Sequence, residues 1–105
     1  MVDRDHQRAQ QIARNFLESR IGALEAARAL LPLLNADPKL ATAEDRQDLI
    51  EIDRETNDLP VGRIREECHP DVLLEKDKQI ERYEKLYRDQ VRSICERILQ
   101  GELNV

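Results

Sequence analysis

The chain has 105 residues (12.3 kDa), with 17 basic and 22 acidic side chains and a formal charge of −5. Apolar residues make up 40% and charged residues 37%, with no Trp, two Tyr and one Phe, and Gly and Pro together number seven. These figures exclude a membrane span, a collagen, a disulfide-framework toxin and a low-complexity tail, and they argue against a nucleic-acid binder, which is usually basic and stacks bases on aromatics.

Helical periodicity dominates, and the length holds one helical domain over residues 1–105. Asp3 or Asp5 is placed to cap a first helix that ends near Ser19, with Ala9, Ile12, Ala13, Phe16 and Leu17 on one stripe. Ile21-Gly22 interrupts it, because glycine weakens a helix interior. A second helix over residues 23–34 is apolar nearly all round, broken only by Glu25 and Arg28, and therefore belongs in the middle of a bundle. Pro32 should loosen its last turn, and Asn35-Ala-Asp37-Pro38 reads as a turn.

Thr42-Ala-Glu-Asp45 resembles a capping box and opens a third helix that ends near Asn57, with Leu49, Ile52 and Thr56 on one face. Asp53 falls inside that apolar arc. Leu59-Pro60-Val61-Gly62 ends the helix, and residues 63–68 fit a short helical turn or an ordered loop. His69-Pro70-Asp71 starts a fourth helix of about 30 residues, roughly 45 Å, with Gly101 as its stop. Leu73, Ile80, Tyr83, Tyr87, Val91, Ile94 and Ile98 form its stripe, and Lys76, Asp77 and Glu84 share that arc. Leu74, Leu86 and Leu99 lie off it and are candidates for a wider contact or a dimer surface. The fold expected is an all-α bundle of four main helices, the last one long.

The negative charge is concentrated in residues 37–70, which hold ten acidic and five basic residues. Glu44, Asp48 and Glu51 on the third helix are the candidate acidic face, which repels phosphate backbones and attracts basic protein surfaces; the plainer reading is a solvated helix face. Asp53, Asp77 and Glu84 are charges on apolar arcs and should be paired. Arg63 and Arg65 are placed to reach Asp53 on one side and Asp77 on the other, as a polar site between helices or as an ion-pair network pinning the connection.

Glu66, Glu67, Cys68, His69 and Asp71 are dense in metal-ligand types, but their spacing matches no zinc, calcium or iron pattern, and no metal is expected. Cys68 and His69 are adjacent without a third group, and the three glycines are isolated, so neither a catalytic constellation nor a cofactor-binding loop is expected. The tyrosines 83 and 87, one turn apart, read as core. The two cysteines are 27 residues apart, which suits a reducing cytoplasm. The polar start does not read as a signal peptide, so none is expected, and the longest near-apolar run, residues 26–34, is too short to span a bilayer.

One stretch resembles a family of short bacterial all-helical proteins of unknown function. It runs Ile52-Asp-Arg-Glu-Thr-Asn-Asp-Leu-Pro-Val-Gly-Arg-Ile-Arg65, continues through His69-Pro-Asp-Val-Leu73 and ends Lys76-Asp-Lys-Gln-Ile80. That family's pattern is D-x-E-T, then Leu-Pro-x-Gly, an arginine, a Pro and a Lys-Asp pair. Ile21-Gly-Ala-Leu-Glu-Ala-Ala-Arg28 also resembles its upstream segment, and the likeness covers roughly residues 16–100. This chain has Cys68-His69 where the family has an aromatic before the proline. The resemblance marks Asp53, Glu55, Thr56, Arg65, Lys76 and Asp77, and some proteins of this type look like immunity proteins of bacterial toxin systems. The function expected is a non-catalytic protein-interaction module, immunity- or antitoxin-like, with a basic protein partner and without nucleic acid, membrane or cofactor. The alternatives are a structural homodimer or subunit of a larger assembly and, more remotely, a metal or Cys–His enzyme.

Overall fold

The computed structural model describes residues 4–103, without the side chains at 38, 63 and 101–103. Four helices follow one another: α1 (Arg4–Leu17), α2 (Ala23–Ala36), α3 (Ala43–Thr56) and α4 (Pro70–Leu103). Two short 3-10 segments, Pro38–Leu40 and Gly62–Glu67, sit in the connections, and no strand occurs among the described residues. The fold is the all-α bundle that the periodicity predicts.

α1 buries Ala9, Ile12, Ala13 and Phe16, while Leu17 stays exposed. The helix closes in a Schellman motif, in which Arg20 N–H donates to Asn15 C=O (2.8 Å) and Ser19 N–H to Phe16 C=O (3.0 Å). Ser19, with φ +62°, takes the left-handed position usually given to glycine. The stop is therefore made at Ser19, two residues after the helix ends, and Gly22 serves another purpose, as the N-cap of α2. Asp3 lies outside the described residues.

α2 is the central element, packed against α1, α3 and α4. Its small buried residues Ala23, Ala26 and Ala27 let neighbouring backbones approach, and Leu24, Leu30 and Leu34 fill the space between. The helix runs two residues past the predicted end, to Ala36. Pro32 inside it is exposed, and the helix closes when Asp37 N–H donates to Leu33 C=O (2.9 Å). Asp37 then caps the 3-10 turn by accepting from Lys39 N–H (3.1 Å). In α3, Thr42 is the N-cap and accepts from Asp45 N–H (3.0 Å). The reciprocal half of the capping box is absent, because the Asp45 side chain is used elsewhere.

α4 has 34 residues, about 51 Å, against about 21 Å for each 14-residue helix, and it sets the long axis of a 48 × 24 × 23 Å molecule. Its C-terminal half carries the buried residues Val91, Ile94, Cys95 and Ile98, and Gly101 does not stop it. An isolated glycine costs a long, packed helix only about 1 kcal/mol, too little to end it. The N-terminal half overhangs. Ile80, Tyr83 and Tyr87 pack against the core edge, and the two rings stack with centroids 6.0 Å apart. Leu99, read as off the stripe, also joins the core edge, whereas Leu74 (70%) and Leu86 (64%) are exposed. Of the ambiguous residues 63–68, the first five fall in the 3-10 helix, entered at Gly62 with φ +68°, a backbone position that favours glycine, and Cys68 is its extended C-cap.

Candidate functional site

The predicted polar cluster does not form one site; its members make separate ties between helices. Glu84, on the core-facing arc of α4, finds a helix end rather than a cation. Its carboxylate accepts from Ala23 N–H (2.6 Å) and Leu24 N–H (3.0 Å), the first amides of α2. The charge meets both the unpaired N–H groups and the positive end of the α2 dipole. This contact explains Gly22, because a Cβ there would stand 2.6 Å from Glu84 Oε1. The other end of the same logic is Arg28, which donates to Thr56 C=O (2.5 Å) and Leu59 C=O (2.9 Å) and so closes the C-terminus of α3. α2 thus receives its N-terminal cap from α4 and supplies the C-terminal cap of α3.

Arg65 and Asp77 meet as expected, at 2.7 and 3.3 Å, and Arg65 also donates to Pro60 C=O (3.3 Å). The Arg65 hydrogen bond holds the Asp77 carboxyl below the usual carboxylate range. Both side chains are more than a third exposed, so water screens the pair and it adds little to stability. Lys76 lies 3.7 Å from Asp58. These two contacts strap the connection to the overhanging half of α4. Asp53 does not join them. It has no hydrogen-bond or ion-pair partner among the described residues, because its position at the edge of the α3 arc leaves it half-buried and open to water. The Arg63 side chain lies outside the described residues. Thr56 is buried and donates its hydroxyl to Ile52 C=O (2.7 Å), a local bond within α3.

The third helix carries two ridges side by side. Asp45, Leu49, Ile52 and Thr56 are buried, and one residue earlier in each case stand Glu44, Asp48, Glu51 and Glu55. At 100° per residue the second set lies on one line beside the core stripe. Glu44, Glu51 and Glu55 are exposed and Asp48 is half-exposed. Glu55 accepts from the Tyr87 hydroxyl, and burial, reinforced by that bond, pushes this hydroxyl up to about 12. Glu44, Asp48 and Glu51 have no hydrogen-bond or ion-pair partner among the described residues. Like charges at i, i+4 oppose helix stability, while Glu44 in the first turn meets the positive end of the α3 dipole and the charges of Glu44 and Asp48 reach Arg97.

The pair that sequence reasoning missed is Asp45–Arg97. Asp45 is 4% exposed at its side chain and accepts from Arg97 Nε (2.8 Å) and Nη2 (2.5 Å), tying the start of α3 to the end of α4. Its signal was the i, i+4, i+7, i+11 spacing with Leu49, Ile52 and Thr56, hidden by its fit to a capping box. Arg28, alone with Glu25 on an apolar helix, was also readable as a capping residue.

Cys68 and His69 make only local contacts. Cys68 Sγ donates to Ile64 C=O (3.4 Å), and His69 Nδ1 accepts from Asp71 N–H (3.2 Å) at the start of α4. Burial pushes the Cys95 thiol up to about 12, so it is protonated at neutral pH. Among the described residues no three His, Cys, Asp or Glu side chains converge as a metal site. No helix among them is long and apolar enough to cross a membrane. No protein-family model matches the chain, and no curated protein or solved structure is significantly similar to it.

Proposed function

We propose that this chain is a non-catalytic protein-interaction module of a bacterial cytoplasm, which presents the acidic ridge of α3 to a basic protein surface. The observation that carries the reading is the line of Glu44, Asp48 and Glu51, held beside the core stripe and unpartnered among the described residues. Other polar side chains at the helix contacts, Glu84, Arg28, Asp45, Arg97, Arg65 and Asp77, are engaged in tying the bundle together. The ridge therefore stands on a frame whose hydrogen bonds are made by other residues, which limits the ordering cost of binding. Charge of this kind speeds encounter and selects partners more than it adds affinity, which suits an immunity- or antitoxin-like inhibitor of a basic toxin. The resemblance of residues 52–80 to short bacterial helical proteins belongs to the same reading.

Native mass spectrometry of untagged protein from its source cells tests it. The expected result is a complex with one basic protein that the Glu44→Gln/Asp48→Gln/Glu51→Gln variant loses. The same complex retained by the triple variant would overturn the acidic-face assignment. A structural homodimer is a second reading, favoured by the exposure of Leu74 and Leu86 on α4.

A further inference from the structure

α3 and α4 run antiparallel, and two contacts pin the seam between them, Asp45 with Arg97 near one end and Asp58 with Lys76 near the other. Between the pins, Asp48, Glu51 and Glu55 border the seam from α3. Glu55 accepts from the Tyr87 hydroxyl. Burial and Glu55 raise that hydroxyl most, and the Glu51 charge adds to them, so both carboxylates lie close to the Tyr87 ring.

On α4 the seam is edged by Gln79, Tyr83, Leu86 and Gln90, at i, i+4, i+7 and i+11. They lie roughly 40–100° around the helix from Tyr87, on the same side as Arg97, which reaches α3. Glu84, which reaches α2, lies on the other side of Tyr87. None of the four edge residues is charged. Tyr83 and Tyr87 are half-exposed and stack nearly parallel, 3° between planes and 6.0 Å between centroids, and Leu86 is exposed. Between its pins the seam therefore sets carboxylates against aromatic and apolar surface and holds no cation of its own among the described residues. The nearest cations outside it are Arg54 and Arg82, about 60° and 40° farther around their helices than Glu51 and Leu86. They confine the attraction, so the seam suits a single cationic side chain rather than a broad basic surface.

We propose that this stretch anchors the interface and that its occupant is an arginine side chain of a basic protein. A guanidinium is planar. It stacks on a tyrosine ring while its edge donates paired hydrogen bonds to carboxylates, and its methylene stem covers apolar surface such as Leu86. A lysine ammonium is a compact, strongly hydrated charge and gains less from the rings. Glu51 and Glu55 accept from the guanidinium, the tyrosine stack takes its flat face, and the Tyr87 bond holds Glu55 in place. The assignment rests on the acidic-face reading and names the group that the face recognises.

Calorimetric titration of the full chain in about 0.05 M salt, where exposed charges are little screened, tests the proposal. The probes are a penta-lysine peptide and the same peptide with arginine as its central residue. The arginine peptide should bind at least about threefold more tightly. The chain has no Trp, and its two tyrosines both stand at the seam, so tyrosine emission should change as that peptide binds. Tyr83→Leu, which keeps an apolar side chain against the core, should abolish the preference and leave the penta-lysine affinity unchanged. Tyr83→Phe, which keeps the ring, should retain the preference. Both variants should keep the helical circular dichroism spectrum of the wild type. Equal affinities for the two peptides, or a preference that survives Tyr83→Leu, would overturn the arginine anchor. Glu44→Gln/Asp48→Gln/Glu51→Gln separates that failure from failure of the acidic face. If this variant weakens both peptides, the acidic-face reading stands without the anchor. If it weakens neither, or if neither peptide binds the wild type at millimolar concentration, both are overturned.

Discussion

Arg97→Ala is expected to destabilise the fold by about 2–3 kcal/mol, and Asp45→Asn by about 1 kcal/mol. The asymmetry follows from burial. The Asp45 side chain is 4% exposed and that of Arg97 48%. Removing the guanidinium leaves a carboxylate inside the bundle, where a lost charge partner is costly; the half-open Arg97 site admits water and keeps the loss below that of a fully buried pair. Removing the Asp45 charge instead leaves an arginine head that water already reaches and an amide oxygen that still accepts. In a domain of this size the larger loss lowers the melting temperature by roughly 4–8 °C per kcal/mol. Urea denaturation of both variants checks it, and the opposite order would show that the pair is held by something other than desolvation of Asp45.

Gly22→Ala should cost about 1–2 kcal/mol in the wild-type chain and clearly less in a Glu84→Ala background, where only the general preference of an N-cap for glycine over alanine remains. Gly22 itself has φ −82°, which alanine adopts freely, so backbone strain gives no reason for a loss. The loss comes from the new Cβ, which would stand 2.6 Å from the Glu84 carboxylate. The Glu84 tip can swing aside, but it then releases Ala23 N–H and Leu24 N–H, two amides at the start of the central helix. Once Glu84 is gone there is nothing left to displace. A double-mutant cycle by chemical denaturation measures the coupling. Additive losses would mean that Gly22 is kept small for a reason unrelated to the cap.

The sequence made the frame readable wherever one chemical signal stood alone. The apolar stripes of α1 and α4, the all-round apolar character of α2 and the Thr42 cap each lead to the observed element. Boundaries shifted where packing or a local motif outweighed propensity. Ser19 closed α1 by a Schellman turn, α2 continued past Pro32, and α4 ran through Gly101. The polar residues were flagged as needing partners: Asp77 meets Arg65 as the sequence suggests, Glu84 finds a partner that the sequence did not indicate, and Asp53 has none among the described residues. Glu84 was expected to be paired, and it caps a helix some 60 residues away in sequence, a pairing that no local spacing encodes. Asp45 carried two compatible signals, a cap and a core stripe, and the stripe prevailed because it meets Arg97. The acidic line was readable from i, i+4, i+7 spacing alone.

The account holds that the bundle is braced by buried and capping contacts and that the Glu44, Asp48 and Glu51 line is free for recognition. The urea midpoint of Glu44→Gln/Asp48→Gln/Glu51→Gln tests this division on the protein alone. The account predicts a midpoint close to that of the wild type, with unchanged slope, because the i, i+4 repulsion relieved and the dipole and Arg97 attractions lost are each worth only about a few tenths of a kcal/mol. A midpoint lowered by the equivalent of about 1 kcal/mol or more would show that these carboxylates hold the fold, and would contradict it.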